Sequence, residues 1–378
     1  VIARFHSPPA SAGARGEAFG AAHATEVART CERYATLFAD AAGGAPVDLD
    51  ALGSEALAAI EACAPELAEE VEGIARGAGV PVRALAAVNA RTEVLARLGA
   101  AARGECSTVV ALGEDDGPPV SVQTWDWHDL FADGWLLWTV EHPDGRVVHT
   151  VTEHGIVGKV GVNDRGVAVH VNILHHDDDG GPIGAPVHVL ARMVLDRAGD
   201  VAEAATLLGA ARTSASSVLT LVGAQAGEGG GKSALCAELS PGGARFVLPE
   251  RDGTLLHTNH FLDPHAAAGD RERRIGPDSY VRMDVLRRSL HAAVRRNGGA
   301  ATFTRDELLG LLGSHVGGAG ALCCHPAADA PLGDRWETLV TVSLDPAGGT
   351  LSARAGGPCN PDGEWVGPLA TTTTTTGA

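Results

Sequence analysis

The segment Arg103-Gly104-Glu105-Cys106-Ser107-Thr108 runs directly into the apolar stretch VVAL. A cysteine at the start of a strand is most often a small buried hydrophobe. It is also a residue type that can carry an acyl group as a thioester. The next apolar stretch, Gln123-Thr124-Trp125-Asp126-Trp127, sets an acid between two tryptophans. A carboxylate buried there has to be paired or hydrogen-bonded. The intervening GEDDGPP reads as a turn, so the two stretches predict a hairpin that places Asp126 beside Cys106.

Elements of two kinds must hold these residues. Apolar residues recur at helical spacing over 15–40, 53–76 and 81–99, with Pro81 suited to a first turn. From Arg103 the texture changes to short alternating runs: CSTVVAL, PVSVQTWDW, GWLLWTVEH, RVVHTVTEH, GIVGKVGVN and GVAVHVNIL. Helical spacing returns over 186–212, 277–296 and 304–313. Strands are expected at 217–224, 232–239 and 244–248, with a closing hairpin of ETLVTVSLD and GTLSARAG. Helices, strands, helices and strands joined by hairpin-length turns predict an α+β fold with antiparallel sheets. The boundaries expected are a helical segment 1–105, a core 106–368 and a low-complexity disordered tail 369–378 ending TTTTTTGA.

Composition excludes several classes. The net charge of -18, from 47 acids and 29 bases, repels phosphate backbones, so no nucleic-acid partner is expected. No apolar run reaches the ~18 residues of a membrane helix. Seven scattered cysteines without CxxC spacing, and an opening stretch without an apolar leader, make a reducing, cytoplasmic location the expectation. Residues 226–233, AGEGGGKS, approximate a phosphate-binding loop. The helix that mechanism needs is missing, because SALCAELS meets Pro241-Gly242-Gly243 and reads as a strand. His175–Gly181 (HHDDDGG) lacks the alternation of a calcium loop and reads as a solvated acidic loop. Adjacent Cys323 and Cys324 point to opposite faces, so with His325 they do not suggest a shared metal; no metal or cofactor is expected. Trp125, Trp127, Trp135 and Trp138 suit either an apolar acyl pocket or the core.

Taken in order, several segments resemble the acyl-coenzyme A:6-aminopenicillanic acid acyltransferase family, which shares its catalytic fold with bile-salt hydrolases and penicillin V acylases. They are GEAFGAAH (Gly16–His23), Asn89–Glu93, the Cys106-Ser107-Thr108 start, QTWDW, KVGVNDRGVAVHVN, PVHVLARMVLD, His257–Phe261 (HTNHF) and LVTVSLDPAGGTLSARAGGPC. The resemblance implies a four-layer αββα N-terminal-nucleophile hydrolase sandwich. It implies a zymogen that cuts itself between Glu105 and Cys106, leaving two fragments that stay associated. Glu105 stands where many relatives carry Gly.

The chemistry implied is that of a thiol nucleophile in an amidase or acyltransferase. Cys106 would carry the acyl group of a small-molecule acyl-amide or acyl-CoA as a thioester. Its freed α-amino group, with a pKa of about 7.7–8.0, would serve as base, and Asp126 would hold that amine. By the same resemblance, Asn259 and, second, Asn163 are candidates for donors to the oxyanion. Asn259 alone would read as a loop residue, and Asn163 equally fits a plain Asn-x-x-Gly turn. Asn172 matches a family Asn. Cys324 stands where relatives place an active-site Arg, so Arg91 or Lys159 would have to replace that charge, or the substrate differs. A degenerate member kept as a binding or scaffold protein is the alternative reading.

Overall fold

The computed structural model describes residues 2–99, 106–113, 117–224, 231–299, 301–327, 329–331, 335–360 and 362–369. The expected N-terminal helices are each split. They form α1 (Ala12–Ala22), α2 (Ala24–Ala41), α3 (Leu49–Cys63), α4 (Pro65–Ala78), α5 (Val82–Asn89) and α6 (Arg91–Arg97). Pro65 has no N–H to give, so it ends the run that began at Leu49 and opens α4 at its first position. Asp48 starts α3 by accepting from Ala51 N, and Gly79 ends α4 in the left-handed region at φ 69°.

α1 and α4 cross at backbone contact. A Cβ added to Gly16 or Gly20 would lie 2.2 Å from the carbonyl oxygens of Glu70 and Ile74. One added to Gly73 or Gly77 would strike Gly13 or Glu17 in return. The GEAFGAAH glycines are therefore packing residues.

The strands are β1 (Ala3–Ser7), β2 (Ser107–Ala111), β3 (Val120–His128), β4 (Trp135–Glu141), β5 (Val147–Glu153), β6 (Val160–Asn163), β7 (Val167–Ile173), β8 (Ser217–Ala224), β9 (Lys232–Ser240), β10 (Gly243–Val247), β11 (Thr254–His257), β12 (Trp336–Asp345) and β13 (Thr350–Ala355). They form an eight-stranded sheet, β1-β4-β5-β6-β7-β8-β9-β10, and a five-stranded sheet, β11-β2-β3-β12-β13. All pairs are antiparallel except β1 with β4, which is parallel. The sheets are thus antiparallel as expected but for this edge pair; β1 itself was not anticipated, because ARFHS is short and carries two polar residues besides its arginine.

Alternation along β2 reveals the layers. Val110 faces the main core, while Val109 and Ala111 join Leu286, Leu290 and Leu308 in a second one. The latter belong to α10 (Asp278–Arg296) and α11 (Arg305–Leu312), which cover the small sheet. On the other side of the large sheet lie α7 (Val187–Arg197) and α8 (Val201–Gly209), against β6–β7 and β8–β9. The short α9 (Glu272–Ile275) leads into α10. The expected four-layer αββα sandwich is therefore what the chain forms.

The N-terminal segment is part of this sandwich. β1 edges the large sheet, Phe19 packs on Trp138, and buried Glu70 of α4 binds Arg15 of α1 and Arg192 of α7, which also binds Asp196. Of the expected tail, Leu369 is described, its carbonyl accepting from Thr139. Residues 370–378 lie outside the described residues. No helix among the described residues is long and apolar enough to cross a membrane.

Candidate active site

Strand register assembles the site. β11 pairs with β2 so that His257 faces Thr108, and just beyond that pairing Arg282 bridges the Cys106 carbonyl and the Asn259 side chain. β2 pairs with β3 so that Ser107 faces Thr124, and the Cys106 Sγ lies 3.8 Å from the Asp126 carbonyl oxygen. The hairpin expected from sequence forms, although residues 114–116 of its turn lie outside the described residues, as does Glu105.

A network of directional donors fixes Cys106. Its carbonyl accepts from Asn172 Nδ2 at 3.0 Å and from an Arg282 Nη at 3.1 Å. Thr108 Oγ1 and Gln123 Nε2 donate to Asn172 Oδ1, which settles the orientation of that amide and ties β2 and β3 to β7 of the facing sheet. Arg282 also donates to Ser107 Oγ at 3.1 Å and to Asn259 Oδ1 at 3.0 Å. A guanidinium only donates, so it must face the oxygen of Asn259. The Asn259 NH2 is thereby turned the other way, where it donates to Ile173 O at 2.9 Å. Ser279 Oγ receives the Asn259 N–H, completing the hold from α10.

Arg282 escaped the sequence reading. The structure brings Cys106, Asp126 and Asn259 together and leaves Asn163 elsewhere. Asn163 ends β6, where its amide donates to Leu195 O and Ala198 O and accepts from Arg165 N and Val167 N. The turn alternative is the one realised: every polar group of this side chain is engaged in holding a loop against α7. Asn172, matched without a role, donates to the Cys106 carbonyl.

Burial, followed by the Asp126 carboxylate, pushes the Cys106 thiol up to about 11. It is therefore protonated at neutral pH. Around Asp126, Trp125 and Trp127 each carry a cation over the ring. Lys159 Nζ sits 3.4 Å over the Trp125 ring, and Arg91 lies 4.1 Å over Trp127. Both cations bind buried Glu153, Lys159 at 2.5 Å and Arg91 at 3.4 Å. Burial, then the Arg91 charge, brings Lys159 down to about 7. Trp135 and Trp138 are core, with Trp138 Nε1 donating to Ser7 Oγ. The Cys324 sulfur is buried against the carbonyls of Ala319 and Trp336.

Elsewhere, Lys232 of the phosphate-loop look-alike opens strand β9, as expected, and residues 225–230 lie outside the described residues. The acidic loop is more engaged than a solvated loop would be: Asp179 accepts from His176 N and Ser216 Oγ, and Asp177 pairs with Arg274. An apolar groove of about 580 Å³ between α3, α7 and α8 contains none of the site residues. Among the described residues, one set of side chains could hold a metal: His315, Cys323, His325 and Cys359.

A cysteine at the head of a strand, in a sandwich of two sheets between helical layers, has the architecture of an N-terminal-nucleophile hydrolase. The chain belongs to the acyl-coenzyme A:6-aminopenicillanic acid acyl-transferase family, whose model matches residues 112–307. It is 28% identical over 305 residues to the acyl-coenzyme A:6-aminopenicillanic-acid-acyltransferase 40 kDa form of Emericella nidulans, covering 80% of this chain and 78% of that one. Among solved structures, it is similar to penicillin V acylase from Agrobacterium tumefaciens (15% identity, TM-score 0.41, 66% of this chain and 83% of that one). It is also similar to a mutant of conjugated bile acid hydrolase from Clostridium perfringens (10% identity, TM-score 0.44, 70% of this chain and 97% of that one). The family match begins beyond Cys106, so the case for that residue rests on the geometry above.

Proposed function

We propose that the protein is a self-processing cysteine acyltransferase or amidohydrolase acting on a small acyl-amide or acyl-CoA through a Cys106 thioester. The observation that carries the reading is the convergence of the Cys106 thiol, Asp126, and an Asn259 amide oriented by Arg282 at one edge of the small sheet.

In maturation, the Cys106 sulfur attacks the Glu105 carbonyl carbon. The peptide C–N bond breaks, and its nitrogen takes a proton to become the α-amine of Cys106. Water then hydrolyses the thioester, leaving the Glu105 carboxylate and a free thiol. In turnover, the α-amine accepts the thiol proton, the sulfur attacks the substrate carbonyl, and the leaving amine or thiol takes the proton away. Asp126 holds the amine by charge-assisted hydrogen bonds, and the Asn259 NH2 donates to the oxyanion. Water or an amine resolves the acyl-enzyme.

With the thiol held near pKa 11 in the precursor, the first attack on Glu105 proceeds without the α-amine and is the slow step, whereas each later turnover has that amine as its base. A reducing compartment such as the cytoplasm suits such a thiol; none of the seven cysteines is bridged in a disulfide.

The test is intact mass of the purified chain. The reading expects fragments of 105 and 273 residues (378 − 105) that co-elute, with Cys106→Ala remaining one chain. A wild-type chain that stays whole and takes no acyl adduct from activated acyl-amides or acyl-CoA would sink the reading.

A further inference from the structure

His315 follows α11, Cys323 and His325 precede β12, and Cys359 follows β13, yet their four ligand atoms lie within 4.8 Å of one another. His325 Nε2 is 3.2 Å from His315 Nε2, 3.5 Å from Cys323 Sγ and 3.3 Å from Cys359 Sγ. A tetrahedral zinc ion, with Zn–S of about 2.3 Å and Zn–N of about 2.0–2.1 Å, sets its ligand atoms roughly 3.3–3.8 Å apart.

The surroundings are built for this approach. Gly357 has no side chain where a Cβ would lie 2.5 Å from Cys323 Sγ. Arg354 donates to the carbonyls of Gly357 and Pro358, which fixes the turn that presents Cys359. Cys323 N donates to Ser314 O, which draws His315 in. Cys323 is buried while the other three are exposed, so an ion can enter from solvent.

We infer that His315, Cys323, His325 and Cys359 form a Cys2His2 zinc site that clamps the segment before β12 to the end of β13. Two thiolates and two imidazoles select zinc over the oxygen-seeking cations, and four protein ligands leave no open position, so the site is structural. The sequence reading looked for a metal on adjacent cysteines. Their sulfurs do diverge, Cys324 toward Ala319 O and Trp336 O, but alternation returns His325 to the side of Cys323. The clamp is close to the nucleophile site. Cys324 and Thr338 exchange hydrogen bonds, Cys324 N to Thr338 Oγ1 and Thr338 N to Cys324 O, and Thr338 faces Asp126 across β12 and β3.

The experiment is elemental analysis of the untagged full chain, purified with reductant and without chelator, together with the visible spectrum of protein loaded with Co²⁺. One zinc per chain is expected, with tetrahedral cobalt bands that include thiolate charge transfer. Both should be lost in Cys359→Ser and His325→Ala and kept in Cys63→Ser. A zinc-free wild-type chain, zinc retained in both ligand variants, octahedral cobalt bands, or a Cys323–Cys359 disulfide under reductant would each overturn the site. The cobalt spectrum of the wild type decides the matter even if a ligand variant fails to fold.

Discussion

Replacing Arg282 with methionine tests how the candidate site is assembled. The side chain is fully buried and donates to Cys106 O, Ser107 Oγ and Asn259 Oδ1 at 3.0–3.1 Å. Methionine occupies much of the stem's volume and donates nothing. The Cys106 carbonyl keeps its Asn172 donor, and the Asp278 carboxylate, 26% exposed, recovers water. Asn259 Oδ1 loses a charge-assisted donor inside the protein. A hydrogen bond to a charged group contributes about 1.5–3 kcal/mol. Two such losses, discounted for the partner that remains, come to about 3–5 kcal/mol, against a total stability of about 5–15 kcal/mol. The variant should fold at room temperature with a lower melting point. Its activity should fall further, because an unheld Asn259 can present oxygen instead of NH2 to the developing oxyanion. Loss of one such donor costs about 10²–10³-fold. Arg282→Lys keeps the charge without the fork and should fall between. The assay is circular dichroism to establish folding, then a mass-resolved time course of self-cleavage and turnover of an acyl-amide. A folded Arg282→Met chain that matures and turns over at the wild-type rate refutes the positioning role.

Gly20→Ala drives a methyl carbon into the Ile74 carbonyl at 2.2 Å and should lower stability by at least about 1–3 kcal/mol, read as a drop in urea midpoint. An unchanged midpoint would mean that α1 can shift freely on α4. His170 in β7 is held down to about 3 by burial, so the folded state favours its neutral form. The stability it gives is complete above the unfolded pKa of about 6.5 and is lost as pH falls toward 3. At pH 5 the loss is about 2 kcal/mol. His170→Leu should therefore flatten the decline in urea midpoint between pH 7 and pH 5, and parallel declines would disprove it. Cys324→Arg, which restores the residue expected from the resemblance, should destabilise the fold rather than raise activity. The sulfur is buried between two carbonyls, with no room for a charged fork. A stable and more active variant would overturn that view.

The fold was largely legible because its strands alternate and its turns are punctuated. β8 was expected at 217–224 and forms there, and α10 differs from expectation by one residue. Pro65 was the visible mark of a helix break, yet apolar spacing continued across it and hid the break. β1 gave too little signal, since its partner β4 lies more than a hundred residues away and ARFHS alternates over only four residues. The pair Cys106 and Asp126 was legible because a hairpin brings neighbours in sequence together. Arg282 was not, because α10 carries four further arginines, at 287, 288, 295 and 296, and composition cannot tell which one turns inward. Its position on the same face as Met283, Leu286 and Leu290, one turn after Asp278, was the available signal. The His315–Cys359 cluster draws on three segments that only the folded chain brings together.

The absence of an arginine at position 324 changes where the site's positive charge comes from, not whether it has any. Arg282 enters from α10, Arg91 from α6 and Lys159 from the approach to β6, the last two sharing Glu153 beneath the tryptophans that flank Asp126. Arg91 belongs to the segment before the proposed cut, whereas Glu153 and Lys159 belong to the segment after it. Separating the two fragments would therefore strip Glu153 of one cation and expose Arg91 from Trp127 and His188. It would also pull Glu70 from Arg192 and Glu93 from the first N–H of α7. Breaking a buried ion pair costs about 3–5 kcal/mol, and two pairs with the surrounding core would go at once. A cut at Glu105 would thus free an amine beside Asp126 without releasing the helices that hold half of the cationic floor in place.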